Sequence, residues 1–368
     1  MHLLVTADTI GGVWTYTQEL VTGLTLRGHQ ITLVSFGKLP TPDQNLWMAS
    51  LPELDYRPTE FRLEWMENAE GDITESMHYL SSVVRETKPD LLHLSQFAYG
   101  ALQVDVPRVV VAHSDVLSWW LSVHSDTAPS NAWLTWYREI VANGLQGATV
   151  VVTPSKSMRS YLNLNFDTAA QTVVIPNGRD PHFFDPCRAK IDRVIAVGRL
   201  WDQAKQVDLL TRYPHPVPVT IVGPQHKHVD AQPAGRAVRS PESNVQFTGA
   251  LTQAELSVLL AESTIYAATS CYEPFGLAPL EAALSGCALV VNDIPSFREL
   301  WEDAALFFDH NDAQSLADQI AFLVRRPDVR QTFADRAYRR ALNRFTSDHM
   351  LNQYEIMYHE IMTVGARA

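Results

Sequence analysis

The chain has 368 residues, 46% of them hydrophobic, enough to bury more than one core, and its 17 Gly and 21 Pro fall far short of a low-complexity composition. Lys and Arg number 29 against 41 Asp and Glu, a net charge of −12 that repels a polyphosphate backbone and argues against nucleic acid as a partner. Any anionic ligand therefore has to be held locally. Three cysteines, Cys187, Cys271 and Cys287, form no CxxC pair and cannot all pair with one another, which points away from a zinc knuckle or a disulfide framework and toward a cytoplasmic setting.

The opening residues 1–8 lack a basic leader and their apolar run is too short for a signal peptide, so they read as a strand. Short β-branched runs then alternate with helical-period segments, the pattern of parallel α/β sheets. Strands are predicted over 2–7, 30–36, 90–94, 108–112, 149–152 and 172–175, with a helix over 13–27 stopped by Gly28. Residues 53–75, rich in Glu and Asp, read as a solvated acidic surface. Trp119, Trp120, Trp133, Trp136 and Tyr137 read as helix packing more readily than as a stacking wall for a sugar. The longest uncharged stretch, 140–155, is broken by Asn143, Gly144, Gln146 and Gly147 and falls short of the roughly 20 apolar residues that span a bilayer.

From Pro176 to Pro186 a run of turn formers and prolines marks a boundary near residue 183. A second series follows, with strands over 193–197, 217–222, 245–247, 264–267, 288–291 and 305–308 and helices over 253–262, 313–324 and 328–344. Seven arginines between 325 and 344 read as a solvated helix face more readily than as a contact for anionic lipid or a partner surface; peripheral membrane contact is possible but not indicated. The segment 347–362 has apolar residues at helical spacing and needs a surface to pack on. The expected organisation is two doubly wound domains, 1–182 and 183–346, with 347–368 crossing back to the first.

The most informative stretch runs from Ser270 to Gly286. It follows a strand, and Pro279 suits the first turn of a helix that begins near Leu277. Backbone N–H groups from Phe275 to Ala278, with the positive end of the helix dipole, form an anion seat. Glu273 and Glu281 flank that seat without sharing a helical face and read as hydroxyl acceptors. After the first strand of the second series come Arg199 and Lys205. A guanidinium fork and an ammonium neutralise a diphosphate without a metal. A ligand carrying both phosphate and hydroxyl groups, such as a nucleoside diphosphate sugar, suits this set. Gly11 and Gly12 after the first strand are not followed by a G-x-G-x-x-G pattern, which excludes a dehydrogenase.

The run from Glu273 to Glu281 resembles the E-x7-E motif of retaining glycosyltransferases of family four, the glycogen-synthase-like group. The Gly11-Gly12 loop resembles that family's first βα loop, residues 174–180 its PNG(V/I)D segment, and residues 247–251 its nucleotide-side loop. The resemblance covers nearly the whole chain. It implies the GT-B fold, two Rossmann-like doubly wound parallel-sheet domains facing an interdomain cleft. It implies that Arg199 and Lys205 hold the donor diphosphate, Glu281 the ribose and Glu273 the transferred sugar. The backbone of Phe275, Gly276 and Leu277 would meet phosphate and sugar, and Gly249 and Leu251 would lie on the nucleotide side. His113, after a strand of the first domain, matches a histidine near the donor sugar; Gly11 and Gly12 let backbone approach the ligand. The sequence departs from the family at Gln206, where Gly usually follows the lysine, and at Pro295-Ser296, which replace a Gly-Gly pair.

The function expected is retaining transfer of a hexose from a UDP- or GDP-linked donor to a hydroxyl acceptor, with no cofactor and no metal. Rival readings are a sugar-nucleotide epimerase or phosphorylase on the same fold and a non-catalytic nucleotide-sugar-binding module.

Overall fold

The computed structural model describes residues 1–168, 170–224, 238–239 and 244–365. It forms two compact units, Met1–Gly178 with Ser347–Ala368, and Arg179–Thr346. The division expected near residue 183 falls between Gly178 and Arg179, within the same run of turn formers.

The first unit is built on β1 (His2–Asp8), β2 (Gln30–Phe36), β3 (Asp55–Pro58), β4 (Leu91–Leu94), β5 (Arg108–Val111), β6 (Val150–Thr153) and β7 (Gln171–Val174). These pair in the order β3-β2-β1-β4-β5-β6-β7, parallel throughout. The second unit contains β8 (Ile191–Val197), β9 (Val219–Val222), β10 (Val238–Arg239), β11 (Val245–Gly249), β12 (Ser263–Ala268), β13 (Ala288–Asn292) and β14 (Ala305–Phe308). Their order is β10-β11-β9-β8-β12-β13-β14, and only the β10 pairing is antiparallel.

Parallel sheets are covered on both faces, so their strands read as continuous apolar runs whose alternate residues enter different cores. Leu92, Val110 and Val151 enter one core of the first unit, while Leu91, Val109 and Val150 enter the other. The second unit divides likewise: Ile195, Tyr266 and Leu289 point to one side, Val194, Ile265 and Val290 to the other.

The helix Gly12–Leu26 ends where Gly28, at φ +84°, lets the amide of His29 return to the Leu24 carbonyl at 3.1 Å. The helix Ser347–Gly365 joins the core of the first unit through Leu351, Tyr354 and Tyr358. It lies so close to the helix Gly12–Leu26 that a Cβ on Gly23 would sit 2.2 Å from Leu351 Cδ1. Arg27 ties the rim, with Nη1 2.5 Å from Glu355 and Nη2 2.8 Å from Asp348.

The acidic stretch 53–75 is not all surface. It contains β3, a short edge strand, and the start of the helix Glu70–Thr87. Glu64 is buried and accepts the amides of Phe97 and Ala98 at 2.9 and 2.8 Å. Burial pushes its carboxyl up to about 7 against those hydrogen bonds. Among the aromatics, Tyr137 is buried, Trp133 and Trp136 pack against the same core, and Trp119 and Trp120 stay half-buried on the helix Val116–His124. Several arginines of 325–344 are paired, Arg326 with Asp328, Arg330 with Asp192 and Arg340 with Asp303. No helix among the described residues is long and apolar enough to cross a membrane.

A buried polar chain joins β4 to the last helix. His93 lies 2.9 Å from Tyr16 Oη through Nε2 and 2.6 Å from Tyr358 Oη through Nδ1, while Tyr16 Oη donates to Tyr354 Oη at 2.7 Å. One proton direction satisfies all three bonds: Tyr358 donates to the ring, and the ring donates to Tyr16. Burial, helped by the nearby His113, lowers the ring's pKa to about 3 and so keeps it neutral. The unfolded chain takes up a proton near pH 6.5 that the native state refuses, so stability is lost as pH falls from there toward 3. The loss per such group is at most about 1.4 kcal/mol per pH unit. The melting temperature should drop between pH 7 and pH 5, and a His93→Gln variant, less stable at pH 7, should show a shallower drop over that interval.

Candidate active site

In the second sheet β8 stands between β9 and β12. The chain leaves β8 for β9 on one side, and β12 flanks it on the other, so the loops after β8 and β12 diverge at the carboxyl edge of the sheet. That is the switch point at which doubly wound sheets open a ligand crevice. Arg199 and Lys205 follow β8, and Glu273 follows β12.

Arg199 Nη2 lies 2.7 Å from Asp202 Oδ2, and its guanidinium rests 4.9 Å from the centroid of the Trp201 ring. The other oxygen of Asp202 accepts the amide of Ala204 at 3.1 Å and so shapes the short turn that carries Lys205. Lys205 Nζ lies 2.5 Å from Glu273 Oε2, an oxygen that also accepts the Ser270 hydroxyl at 3.3 Å. Backbone holds the two loops together: the Cys271 amide donates to the Ala204 carbonyl at 2.9 Å, and Thr269 Oγ1 donates to the Lys205 carbonyl at 2.6 Å. Asn292, at the end of β13, donates to the Ser270 carbonyl at 3.2 Å and to Asn311 at 2.8 Å. Its buried amide fixes the loop of Glu273, a role that spacing along the chain does not reveal.

The helix Leu277–Leu284 starts directly behind Glu273. Gly276 precedes it at φ +90°, and among the described residues no side chain caps its first turn, which leaves those N–H groups for a ligand. A Cβ on Gly276 would lie 3.1 Å from Glu273 Cγ and 3.2 Å from Pro279 Cγ, so glycine is required by conformation and by space. The side chain of Phe275 is buried in the core against Phe345, which leaves only its backbone for the crevice.

Glu281 is not an open hydroxyl acceptor in this structure. It is 5% exposed, and its Oε1 lies 3.0 Å from Nε of Arg179, which is 1% exposed. Burial raises the carboxyl above its ordinary range, and Arg179 opposes that rise. The sequence signal was present: Arg179 occupies the V/I position of the PNG(V/I)D resemblance, and a guanidinium there has to find an anion inside the fold.

The remaining predicted residues lie on other elements. Gly249 ends β11 at φ +75°, and its carbonyl accepts the Gly223 amide at 2.9 Å, while Leu251 packs against the core of the second unit. Gly11, Gly12 and His113 belong to the first unit. Gly11 precedes the helix Gly12–Leu26 at φ +84°, and His113 follows β5 with its pKa lowered to about 3 by burial. Pro295, where the family has glycine, opens the helix Pro295–Trp301, and Arg298 there pairs with Asp293 at 2.6 Å.

The profile described as Glycosyltransferase Family 4 matches residues 10–183, and that described as Glycosyl transferases group 1 matches residues 190–340. The chain belongs to the GT4-type glycosyltransferases. Among similar curated proteins, glycogen synthase of Mycobacterium tuberculosis is 28% identical over 241 residues, 58% of this chain and 55% of that protein. GDP-mannose:cellobiosyl-diphosphopolyprenol alpha-mannosyltransferase of Xanthomonas oryzae pv. oryzae is 26% identical over 134 residues, 35% of this chain. The match spans 34% of the Xanthomonas protein, so this GT4-type chain aligns with about a third to about half of these relatives' length. Sucrose-phosphate synthase of Thermosynechococcus elongatus superposes with a TM-score of 0.79 at 17% identity, covering 99% of this chain and 100% of that one. HepE of Anabaena, solved with UDP-glucose, superposes with a TM-score of 0.74 at 17% identity over 99% of this chain and 100% of its own. These likenesses establish the GT-B fold.

Gln206, where the family usually has glycine, keeps the glycine conformation, at φ +44°. A side chain in the left-handed region costs about 1 kcal/mol or more, and glycine's own entropy cost offsets part of the gain from replacing it. Gln206→Gly should therefore raise the melting temperature slightly in a thermal denaturation scan.

Proposed function

We propose that this chain is a retaining glycosyltransferase that moves a hexose from a nucleotide-diphosphate sugar, UDP- or GDP-linked, to a hydroxyl acceptor without needing a metal ion. The observation that carries this reading is the Lys205–Glu273 pair at 2.5 Å, set beside an uncapped helix start at the β8/β12 switch point. An ammonium and a carboxylate in contact neutralise each other until a ligand separates their tasks. A diphosphate draws Lys205 and Arg199 to its oxygens and adds the N–H groups of the helix start; Glu273 is then released to accept sugar hydroxyls.

Charge develops on the departing diphosphate as the glycosidic bond breaks, and fixed cations and amides aimed at it supply the largest kind of catalytic stabilisation. Retention follows when the acceptor attacks on the leaving-group face and the departing phosphate takes its proton. Glu273 in this scheme positions the sugar and forms no covalent bond. Glu281, held by Arg179, is proposed to meet the ribose, and His113 to meet the donor sugar. The name of the Xanthomonas relative supports a GDP-linked donor, and the UDP-glucose complex of the Anabaena neighbour supports a UDP-linked one. Cys187, Cys271 and Cys287 are free thiols, which supports a reducing, cytoplasmic location.

Calorimetry with UDP and GDP, together with a transfer assay, tests the assignment. Arg199→Ala should abolish turnover and weaken nucleoside diphosphate binding by about 2 to 4 kcal/mol. Glu273→Gln should cut turnover by at least about a hundredfold while leaving diphosphate affinity equal or higher, since Lys205 loses its competitor. Unchanged affinity in the first variant or full turnover in the second overturns the corresponding role. Turnover should survive EDTA, and its loss would overturn the metal-free reading.

A further inference from the structure

The first sheet has a switch point of its own, between β1 and β4, where the chain turns from the β2 and β3 side to the β5 side. The glycine loop leaves β1 at this edge. Ser95 and Gln96 leave β4, and the Ser95 amide donates to Thr6 Oγ1 at 2.9 Å, which pins the end of β4 to β1. Leu94 is in register with Val110 of β5, so Gln96 emerges alongside the segment that ends in His113.

Gln96 is 2% exposed, yet neither its amide oxygen nor its amide nitrogen has a hydrogen-bond partner among the described residues. Buried Ser95 Oγ and His113 Nε2 are in the same condition. Buried polar atoms are nearly always paired, because an unpaired one keeps its desolvation cost with nothing gained. Unpaired polar atoms on the residues that leave β4 and β5, at the edge where the topology of the sheet opens a crevice, are what a binding site looks like before its ligand arrives. Tyr16 backs His113, with its ring edge-on at 4.6 Å and its hydroxyl fixed by His93 and Tyr354.

The chemistry of the four atoms selects the ligand. An amide offers donors and an acceptor, a serine hydroxyl does both, and burial keeps the imidazole of His113 neutral. None carries a charge to pair with phosphate or ammonium. They match groups that donate and accept at once, namely the hydroxyls of a sugar ring.

We propose that Gln96, with Ser95 and His113, forms a hydroxyl-reading subsite of the first unit that takes a neutral sugar ring, with Gln96 as its specificity-determining residue. This rests on the glycosyltransferase reading, and the sugar can come from the donor or from the acceptor. Gln96→Met keeps the length of the side chain and removes the unpaired atoms. It should raise the melting temperature by a few degrees and lower kcat/KM by at least about tenfold. A rise confined to the donor's KM identifies the transferred sugar as the ligand, and one confined to the acceptor's KM identifies the acceptor. Free glucose, mannose and galactose in a thermal-shift assay give a readout that does not depend on turnover: at least one should stabilise the parent, and none should stabilise Gln96→Met. A lowered melting temperature in the variant, parent-like kcat/KM, or a parent that no hexose stabilises overturns the subsite. Titration of the parent with UDP and GDP separates the two failures, because loss of nucleotide binding strikes the second unit's site and leaves the hexose readout standing.

Discussion

Among the described residues of the second unit, Arg179, Arg199 and Lys205 are each held by a carboxylate, and depth decides what each pair does. Arg179 and Glu281 are almost wholly buried, and breaking such a pair by removing one partner typically costs about 3 to 5 kcal/mol because the other charge is stranded. That pair is fixed architecture. Arg199–Asp202 and Lys205–Glu273 are less deeply set, with side chains 33% and 8%, and 22% and 17%, exposed, so separating either strands its charges in a wetter setting. The second unit thus holds one pair sealed in its core and two nearer the solvent.

Much of the architecture is legible in the residues. The β-branched runs of the two sheets need burial on both faces, and the alternating core assignments of Val109, Val110 and Val111 are what such a run produces in a parallel sheet. The short strand Asp55–Pro58 escaped because it is an edge strand whose charged residues pair sideways, Arg57 with Asp55 and Glu86, and leave no apolar run to read. Glu64 looked like its acidic neighbours because the amides it accepts, those of Phe97 and Ala98, lie far along the chain.

The site divides in the same way. Local signals found Arg199, Lys205, Glu273 and the glycine before the helix, since strand, loop and helix start follow one another in sequence. The pairing of those groups with one another was invisible, as it depends on β8 and β12 being neighbours in space. Gln206 shows how a departure from a family pattern resolves: the backbone keeps the conformation and the side chain bears the strain. Arg179 shows the opposite outcome, a new charge absorbed by recruiting the nearest carboxylate.

The helix Ser347–Gly365 completes the core of a unit whose other elements end at Gly178, with the whole of Arg179–Thr346 inserted between. On the ribosome, therefore, the amino-terminal sheet waits with one flank uncovered while the intervening lobe is made and folds. The notch at Gly23 can be filled by Leu351 only after residues 179–346 have been made.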